Sequence, residues 1–453
     1  MSATIEAMRA LVAVALASLT IVLAGCGGSS PAGSASGGSL GGDAAQLVPP
    51  AALAFVSVDT DQSSQQWQQL DALTRGLAVR TQVLQEVSAA LARHGLSFDQ
   101  DVKPALGKEL DAAVLKVEAG RPEVVAFAQP ADEAKLRSLA ATFNRGGEHY
   151  TVQDIGGWSV IADAPEAFAA VRAAHDGRSL GDTSGYAAAQ SQVSGSAIAR
   201  AYIAPAAFAA FAKHLGLASG AAPAWAGAKI QLGSDTVRAS AVVAGDVLPA
   251  PSPSSLLRDV PSGAALAVSF NGSAQLAQPL SAGQATLLPL RRLAPLLTGP
   301  GVLYVRAMGL VPEVALELAP VDPQAALDRA RALLATAAGR LGPLRLSAQL
   351  SGRKLVIADM PAAVSALRGG AKLVDDAAFK DALAAAGAPP QRSALVYADV
   401  AQLAPFLQLA AQTAGGKPVD PTVTDALNHI GPLVAWATRS GGNSHFELWA
   451  ERR

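Results

Sequence analysis

The stretch Trp158-Ser159-Val160-Ile161-Ala162-Asp163-Ala164-Pro165 decides the fold, because most of its pattern occurs twice. It returns as Lys354-Leu355-Val356-Ile357-Ala358-Asp359-Met360-Pro361, and the two stretches share Val-Ile-Ala-Asp-x-Pro. In each copy an apolar run typical of a β-strand leads through a proline, which the first turn of a helix tolerates, into an alanine-rich helical pattern. Recurrence at this level of detail indicates an internal repeat.

Four further segments recur in the same order along the chain. The pairs are Val48–Ala54 with Val260–Ala267, Pro122–Val124 with Pro312–Val314, Leu180–Asp182 with Leu373–Asp376, and Ala199–Ala204 with Ala394–Asp399. Alternating strands with short turns favour antiparallel sheet, and helices inserted between them would cover a face of that sheet. The sequence therefore predicts an α+β fold of two tandem, duplicated halves, each an antiparallel sheet with helices on one face.

Hydrophobic periodicity places the individual elements. Strands are predicted at 52–59, 112–117, 124–128 and 158–163, and hairpins at 229–232 with 237–243 and at 433–438 with 444–450. Helices are predicted at 67–77, 79–94, 132–143 and 165–174, and the residues from Asp59 to Ser64 offer capping groups for the first of them.

Composition divides the chain into five segments. Residues 1–25 are predicted as a signal peptide, 26–46 as a lipidated cysteine with a flexible Gly/Ser-rich linker, 47–247 as the first α+β repeat, 248–259 as a Pro/Ser-rich linker, and 260–453 as the second repeat. Gly/Ser-rich segments behave as flexible coils, and proline stiffens a linker.

The N-terminal segment has the features of an export signal. Arg9 supplies positive charge, and the apolar run that follows is too short to span a membrane and ends at Leu23-Ala24-Gly25-Cys26. Met8 would make a cleaner start than Met1. The motif resembles the bacterial lipobox, in which the cysteine thiol receives a diacylglycerol. Cys26, the single cysteine of the chain, is therefore predicted to anchor the protein by lipid on the extracytoplasmic side of the cell membrane. The alternative is an ordinary signal peptide with an incidental cysteine.

A family resemblance begins after the predicted linker. The run Leu47-Val48-Pro49-Pro50-Ala51-Ala52-Leu53-Ala54-Phe55-Val56-Ser57-Val58-Asp59, followed by Trp67, is similar to the start of a bacterial exported family catalogued as domain of unknown function three-three-five-two. The pattern from Leu373 to Phe379 is similar too, so the likeness extends from about Leu47 to the C-terminus. The resemblance implies export, frequent lipidation and a repeated α+β body. It implies no catalytic residues.

Charge and composition exclude some classes of partner. Lys and Arg total 35 against 36 Asp and Glu, which gives a net charge of -1 and no basic footprint for nucleic acid. Half of the residues are hydrophobic, so the chain can bury a large core. Aromatic residues make up 5%, which leaves few stacking platforms for bases or sugars.

Two acidic patterns are the candidates for chemistry. Asp163 and Asp359 recur at equivalent positions and suggest a carboxylate pair such as glycosidases use, but a helix N-cap is the favoured interpretation. Asp59-Thr60-Asp61 suggests oxygen ligands for a metal, and capping of the next helix is again favoured.

The remaining polar residues give no recognisable site. The six histidines have no metal-ligand spacing and are predicted at the surface or in turns: His94, His149, His175, His214, His429 and His445. The scattered tryptophans are interpreted mostly as core anchors. No catalytic, cofactor-binding or metal-ligating residue is therefore predicted, and lipidation of Cys26 is the one predicted site.

These patterns predict a non-enzymatic lipoprotein of the cell envelope that serves in binding or scaffolding. Its expected partners are the membrane, through the lipid on Cys26, and an envelope protein or apolar ligand. One alternative is a carrier of a lipid or another apolar ligand, because helices rich in small side chains can leave a cavity above a sheet. A hydrolase with an unrecognised site is the third.

Overall fold

The computed structural model describes residues 40–118, 121–145, 149–208, 223–272, 296–308, 311–337, 346–415 and 420–453. The predicted signal peptide and Cys26 lie outside these residues. The chain divides into two compact units, which comprise, among the described residues, 40–208 with 223–243 and 244–453.

The first unit contains an antiparallel sheet. Its strands are β1 (Ala54–Asp59), β2 (Glu109–Glu118), β3 (Arg121–Ala128), β4 (Thr151–Ile155), β5 (Trp158–Ala162), β6 (Ala199–Ile203), β7 (Ala226–Leu232) and β8 (Thr236–Ala244). Their spatial order is β4-β5-β3-β2-β1-β6-β7-β8. The helices are Ala44–Gln46 (3₁₀), Gln65–Thr74, Ala78–Arg93, Phe98–Val102 (π), Lys103–Leu106, Glu133–Arg145, Pro165–His175 and Ser184–Gln192.

The second unit contains a sheet of the same strand order. Its strands are β9 (Ala264–Asn271), β10 (Pro300–Met308), β11 (Val311–Leu318), β12 (Ser347–Ser351), β13 (Lys354–Ala358), β14 (Ala394–Asp399), β15 (Ile430–Ser440) and β16 (Asn443–Arg452). They follow the order β12-β13-β11-β10-β9-β14-β15-β16. The helices are Leu256–Asp259 (3₁₀), Pro323–Ala337, Pro361–Arg368, Leu373–Asp375 (3₁₀), Ala377–Ala386, Val400–Gly415 and Pro421–Asn428. The structure thus combines helices with extensive antiparallel sheet, as the sequence predicts.

Helices lie on both faces of the sheet in the second unit, so the prediction of helices on one face is wrong for that unit. In β13, Val356 and Ala358 belong to a core cluster that includes residues of the Pro361–Arg368 helix. Leu355 and Ile357 belong to another cluster, formed with residues of the Pro323–Ala337 helix. Successive strand residues point to opposite faces, so the two helices cover opposite faces. The unbroken apolar run of β13 is typical of a strand covered on both sides.

The packed part of the chain begins before the predicted end of the first linker. Ala44 and Ala45, in the short Ala44–Gln46 helix, are fully buried, and Leu47 is 3% exposed. The predicted linker at 248–259 also differs, because Leu256 and Leu257 are buried in the core of the second unit. In each segment small or apolar side chains fit against the core, although the surrounding Gly, Ser and Pro are typical of coil.

The tryptophan prediction is confirmed. The five side chains are between 2% and 8% exposed: Trp67, Trp158, Trp225, Trp436 and Trp449. The Nε1–H of Trp67 also donates to the carbonyl oxygen of Asp59 at 3.0 Å, which satisfies its buried polar end. No helix among the described residues has the length and apolar character needed to cross a membrane.

Candidate functional site

A row of buried polar side chains crosses three strands of the first unit. Ser57 of β1 pairs with Asp111 of β2 on one side and with Arg200 of β6 on the other. Residues paired in this way share a face of the sheet, so the three side chains lie side by side. They are 2%, 0% and 5% exposed, respectively. No motif of the sequence predicted this row, which we take as the candidate functional site.

The site extends along β1 and β2 by a second pair of acids. Asp59 pairs with Glu109, two residues along from Ser57 and Asp111, so both side chains lie on the same face as the row. Two carboxyl groups of β2, Glu109 and Asp111, therefore stand next to each other along that face. Arg200 provides a single guanidinium group in the row.

Residues 40–48, here called the N-terminal strap, lie over this cluster. The Gly41 N–H donates to Glu109 Oε1. The Tyr186 hydroxyl donates to the Gly41 carbonyl oxygen at 3.1 Å, and Arg200 Nη1 donates to the Leu40 carbonyl oxygen at 3.4 Å. Backbone contacts hold the rest of the strap, because the N–H groups of Leu180 and Gly181 donate to strap carbonyl oxygens at 2.7 and 3.0 Å.

Gly41 allows the strap to approach the sheet closely. Its φ is +82°, a backbone conformation that residues with a Cβ rarely adopt. A Cβ at this position would lie 2.2 Å from Ser57 Oγ, well inside van der Waals contact. The strap and the polar row therefore fit together only with glycine at position 41.

Burial raises the pKa of both acids of β2. The pKa of Asp111 is raised well above its ordinary value, first by burial and then by the neighbouring Glu109 carboxylate. The pKa of Glu109 is also raised, mainly by burial. The Ser57 hydroxyl lowers the pKa of Asp111, but burial has the larger effect. Burying two adjacent carboxylate charges is unfavourable, so the pair favours a form that carries at least one proton.

The equivalent row of the second unit also contains a buried acid, but on a different strand. It runs through Leu395, Ser269, Val302, Glu317 and Val356 in register. Ser269 occupies the place of Ser57, and Glu317 occupies the place of Phe127 in the first unit. An acid is therefore buried in this row of each unit, although its strand differs.

Glu317 has a cationic partner. It is 3% exposed, and Lys354 Nζ lies 3.3 Å from its Oε1 and also pairs with Asp259. Burial raises the pKa of Glu317 to about 7, while the charge of Lys354 acts in the opposite direction. This carboxyl group therefore changes charge near neutral pH.

A second buried acid of β11 is held by a tyrosine and an arginine. Glu313 is fully buried, and its Oε1 lies 2.9 Å from the Tyr304 hydroxyl, while its Oε2 accepts from Arg306 at 2.9 Å. Burial, followed by this hydrogen bond, raises the pKa of Tyr304, so the hydroxyl stays neutral. A carboxylate with two donors is a stable structural element of the core.

These clusters combine acids with hydrogen bonds to the backbone. Asp111, Glu313 and Glu317 are buried, whereas Asp59 and Glu109 are half-buried. Within the described parts of the chain, no group of three or more His, Cys, Asp or Glu residues is placed to hold a metal ion. The clusters therefore assign no residue to a cofactor or a metal.

The predicted pair Asp163 and Asp359 divides between the two units, with Asp163 in the first and Asp359 in the second. The N-cap prediction for both is wrong, since Ala164 and Met360 occupy the cap positions. The Asp359 N–H instead donates to the Val314 carbonyl oxygen at 3.2 Å, and its Oδ1 accepts from the Val314 N–H at 3.1 Å. Asp359 thus extends the pairing of the strand. Asp163 is exposed.

The capping interpretation of the segment from Asp59 to Ser64 is confirmed. Ser64 is the N-cap of the Gln65–Thr74 helix, and its Oγ accepts from the Trp67 N–H at 3.3 Å. The Ser64 hydroxyl in turn donates to Asp59 Oδ2 at 2.6 Å. Burial raises the pKa of Asp59 to about 6, although the Ser64 hydroxyl acts against this.

The described histidines are exposed or half-buried. His94, His149 and His175 are exposed, whereas His429 and His445 are half-buried. His214 lies outside the described residues, as does Cys26, so lipidation of Cys26 stays a prediction.

The sequence contained one signal for the buried acids. Asp111 interrupts the apolar run from Leu110 to Val114. In a strand, Asp111 shares a face of the sheet with the residues two positions before and after it. A charged residue inside a strand pattern indicates either a strand end or a buried polar site. The predicted strand began at Ala112 and left Asp111 out, whereas β2 begins at Glu109.

Comparison with known proteins gives a match to one family model and indicates no activity. The family model described as "Protein of unknown function (DUF3352)" matches residues 9–172. The predicted resemblance is thereby confirmed over that part of the chain, which covers most of the first unit and none of the second. No curated protein matches the chain.

Two of the solved structures that are similar to the chain are crystal forms of one protein. "Structure of crystal form I of TP0453" is 8% identical, covers 73% of this chain and 99% of that chain, and has a TM-score of 0.27. "Structure of crystal form III of TP0453" is 8% identical, covers 71% of this chain and 95% of that chain, and has a TM-score of 0.24. TM-scores this low do not establish a shared fold.

Proposed function

We propose that the protein is a lipid-anchored component of the cell envelope that binds or scaffolds other molecules and is not an enzyme. The observation that carries this proposal is the packing of the strap into the first unit from Leu40 onward. Only thirteen residues, 27–39, separate this folded part of the chain from the cysteine of the lipobox-like motif. A signal peptide, a lipidated cysteine and a short tether to a folded body are the parts that an anchored envelope protein needs.

The short tether limits how far the body extends from the membrane. Residues 27–39 separate Cys26 from Leu40. At full extension, thirteen residues span at most about 45 Å. The first unit would therefore work close to the membrane surface, where partners embedded in or attached to the same membrane are within reach.

We infer further that the two units are copies of one ancestral module. Their common strand order and the serine shared by the equivalent rows support this inference. A cross-strand ion pair also recurs, since Lys116 pairs with Glu123 at 3.2 Å and Arg306 pairs with Glu313 at 2.8 Å. Two related modules on one anchor suit a scaffold, because each can present a similar surface to a partner.

Fractionation of a bacterial host tests the anchor. The full chain and its Cys26→Ala variant would be expressed at equal levels, and membrane and soluble fractions would be compared after washing with high salt. We expect the unaltered chain in the membrane fraction and the variant in the soluble fraction. Ser39→Ala, which changes the tether and leaves the cysteine, is the control and should stay in the membrane. A variant at Cys26 that remained in the membrane would contradict the proposal.

A carrier of apolar ligands is the second candidate, and one helix favours it. The Ala78–Arg93 helix contains no buried residue, although Val79, Val83, Val87 and Leu91 recur on one face. These aliphatic side chains are only half-buried, so this face retains apolar area that a ligand could cover.

Native mass spectrometry of the purified full chain tests the carrier. A carrier should show a discrete added mass that extracts into organic solvent and that Val83→Asp removes. Ser88→Asp places the same charge at an exposed position of the same helix and should leave that added mass unchanged. A protein that carries no extractable ligand, or that keeps it in Val83→Asp, would leave the scaffold as the proposed function.

A further inference from the structure

Hydrogen bonds hold the N-terminal strap on the first unit, next to the carboxyl groups of Glu109 and Asp111. Glu109 accepts a hydrogen bond from the Gly41 N–H, while Arg200 and Tyr186 donate to the carbonyl oxygens of Leu40 and Gly41. Asp111 is fully buried beside Glu109, between Ser57 and Phe127. The strap therefore covers acids whose charge it does not neutralise.

The elements around the pair carry more negative charge than positive charge. Asp43 of the strap is close enough to act on both carboxyl groups, and Asp59 of β1 faces Glu109. Arg200 of β6 is the cation that acts on Glu109. From the Ser184–Gln192 helix, the pair meets the Tyr186 hydroxyl, which burial keeps neutral, and β3 places the apolar Phe127 beside Asp111.

We propose that the N-terminal strap stays docked on the first unit while the Glu109–Asp111 pair holds a proton, and detaches when both carboxyl groups are ionised. In the docked state, two adjacent negative charges would lie under the strap with one guanidinium group, and Asp43 of the strap would add a third. Repulsion of Asp43 and burial of unpaired charge both favour detachment.

The direction of the pH dependence follows from proton linkage. Without the strap, water reaches the pair, and both groups ionise in the ordinary carboxyl range near pH 4. With the strap docked, burial raises the pKa of both groups. Between the carboxyl pKa values of the detached state and those of the docked state, the docked state binds one more proton. Docking is therefore strongest at low pH. Its equilibrium constant falls about tenfold per pH unit through that range.

Detachment would lengthen the tether. The strap comprises nine residues, which span about 30 Å when extended. This consequence rests on the proposed anchor at Cys26, whereas the docking equilibrium itself does not. Combined with that anchor, the strap would let pH set how far the folded body extends from the membrane.

Hydrogen exchange with mass spectrometry on the full chain tests the proposal. The N–H groups of Ala45, Gln46 and Leu47 donate within the docked strap, so their protection reports its docking. Exchange would be followed from pH 5 to pH 9, with labelling times shortened tenfold per pH unit to match intrinsic exchange. We expect strap protection to fall about tenfold per pH unit over part of this range. Protection of the β15–β16 hairpin should stay constant. Strap protection that does not change with pH would overturn the proposal.

Two substitutions and one control test whether the acids cause the pH dependence of strap protection. Asp111→Asn should flatten the pH dependence and keep the strap docked at high pH. Asp43→Asn, at an exposed position with no capping hydrogen bond, should move detachment to higher pH. Asp154→Asn changes an exposed acid of β4 and should reproduce the unaltered profile.

The outcomes separate the strap from the anchor. A full pH dependence in Asp111→Asn would overturn the proposal. If Asp111→Asn does not fold, Asp43→Asn provides the test. A pH profile of strap protection in Asp43→Asn that is identical to that of the unaltered chain would overturn the proposal. Cys26→Ala should keep the same exchange profile, because docking requires no lipid. Loss of the pH dependence in Cys26→Ala would show that the anchor, and not the acid pair, controls the strap.

Discussion

Glu317 is an acid whose charge changes near neutral pH inside the second unit. Burial raises its pKa to about 7, and Lys354 and Asp259 are the charged groups beside it. Because the folded-state pKa is raised, the neutral form stabilises the fold. That stability is fully present below the ordinary carboxyl pKa and is lost as pH rises through about 7.

We therefore predict that the unaltered protein loses stability between pH 5 and pH 8 and that Glu317→Gln loses less. The difference should be at most about 3 kcal/mol, because glutamine stays neutral at both values. Urea unfolding at the two pH values measures it. Asp381→Asn, at an exposed acid of the same unit, is the control and should behave like the unaltered protein. Equal losses in Glu317→Gln and the unaltered protein would contradict the prediction.

Asp359 and Asp163 have the same sequence context and different surroundings. Asp359 Oδ1 accepts from the Val314 N–H, whereas Asp163 is exposed. We predict that Asp359→Ala costs about 1–2 kcal/mol, because it leaves a strand N–H without its acceptor. Asp163→Ala should change stability by less than about 0.5 kcal/mol. Urea unfolding at neutral pH compares the two, and equal costs would show that the hydrogen bond to Val314 contributes nothing.

The sequence predicted such residues only where their role is local. The cap at Ser64 depends on neighbours three and five residues away, and the prediction was confirmed. Asp111 meets Ser57 and Arg200 only after three strands pair, and no local pattern encodes that meeting. The prediction therefore did not include Asp111 in the strand or in a site.

At the scale of elements, the strap shows how composition misleads. Its glycine and alanine continue the composition of the preceding linker, yet Ala44 and Ala45 are fully buried. Small side chains pack without any hydrophobic periodicity that a sequence would display. Hairpins such as β15–β16 were predicted because alternation and a glycine-rich turn are local signals.

Gly41 and Gly76 provide a matched test of the strap. Their φ values are +82° and +81°, but a Cβ at Gly41 would meet Ser57 Oγ, whereas a Cβ at Gly76 meets nothing within 4 Å. We predict that Gly76→Ala costs about 1 kcal/mol from backbone strain alone. Gly41→Ala should cost more, about 2–3 kcal/mol, because the strap must also shift away from the sheet. Thermal unfolding measures both, and equal costs would mean that the strap tolerates a shift from the sheet.

At the scale of the molecule, the two units repeat one strand order with different interiors. Each carries a buried acid in the equivalent row, but Asp111 lies beside a second carboxyl group, while Glu317 lies beside Lys354. The repeated segments of the sequence fall on or next to elements at equivalent places in the two units, which is why the order of elements could be predicted. Coverage of both sheet faces could not be predicted, because the helix that covers each apolar face is set by contacts between segments that are distant in sequence.

The tether and the scaffold both depend on the proposed attachment of the protein to the membrane through Cys26. This attachment can be tested by measuring the intact mass of the chain extracted from bacterial membranes. We expect a polypeptide that begins at Cys26 and carries the added mass of a diacylglycerol. A chain that begins elsewhere, or one that begins at Cys26 with an unmodified thiol, would contradict it.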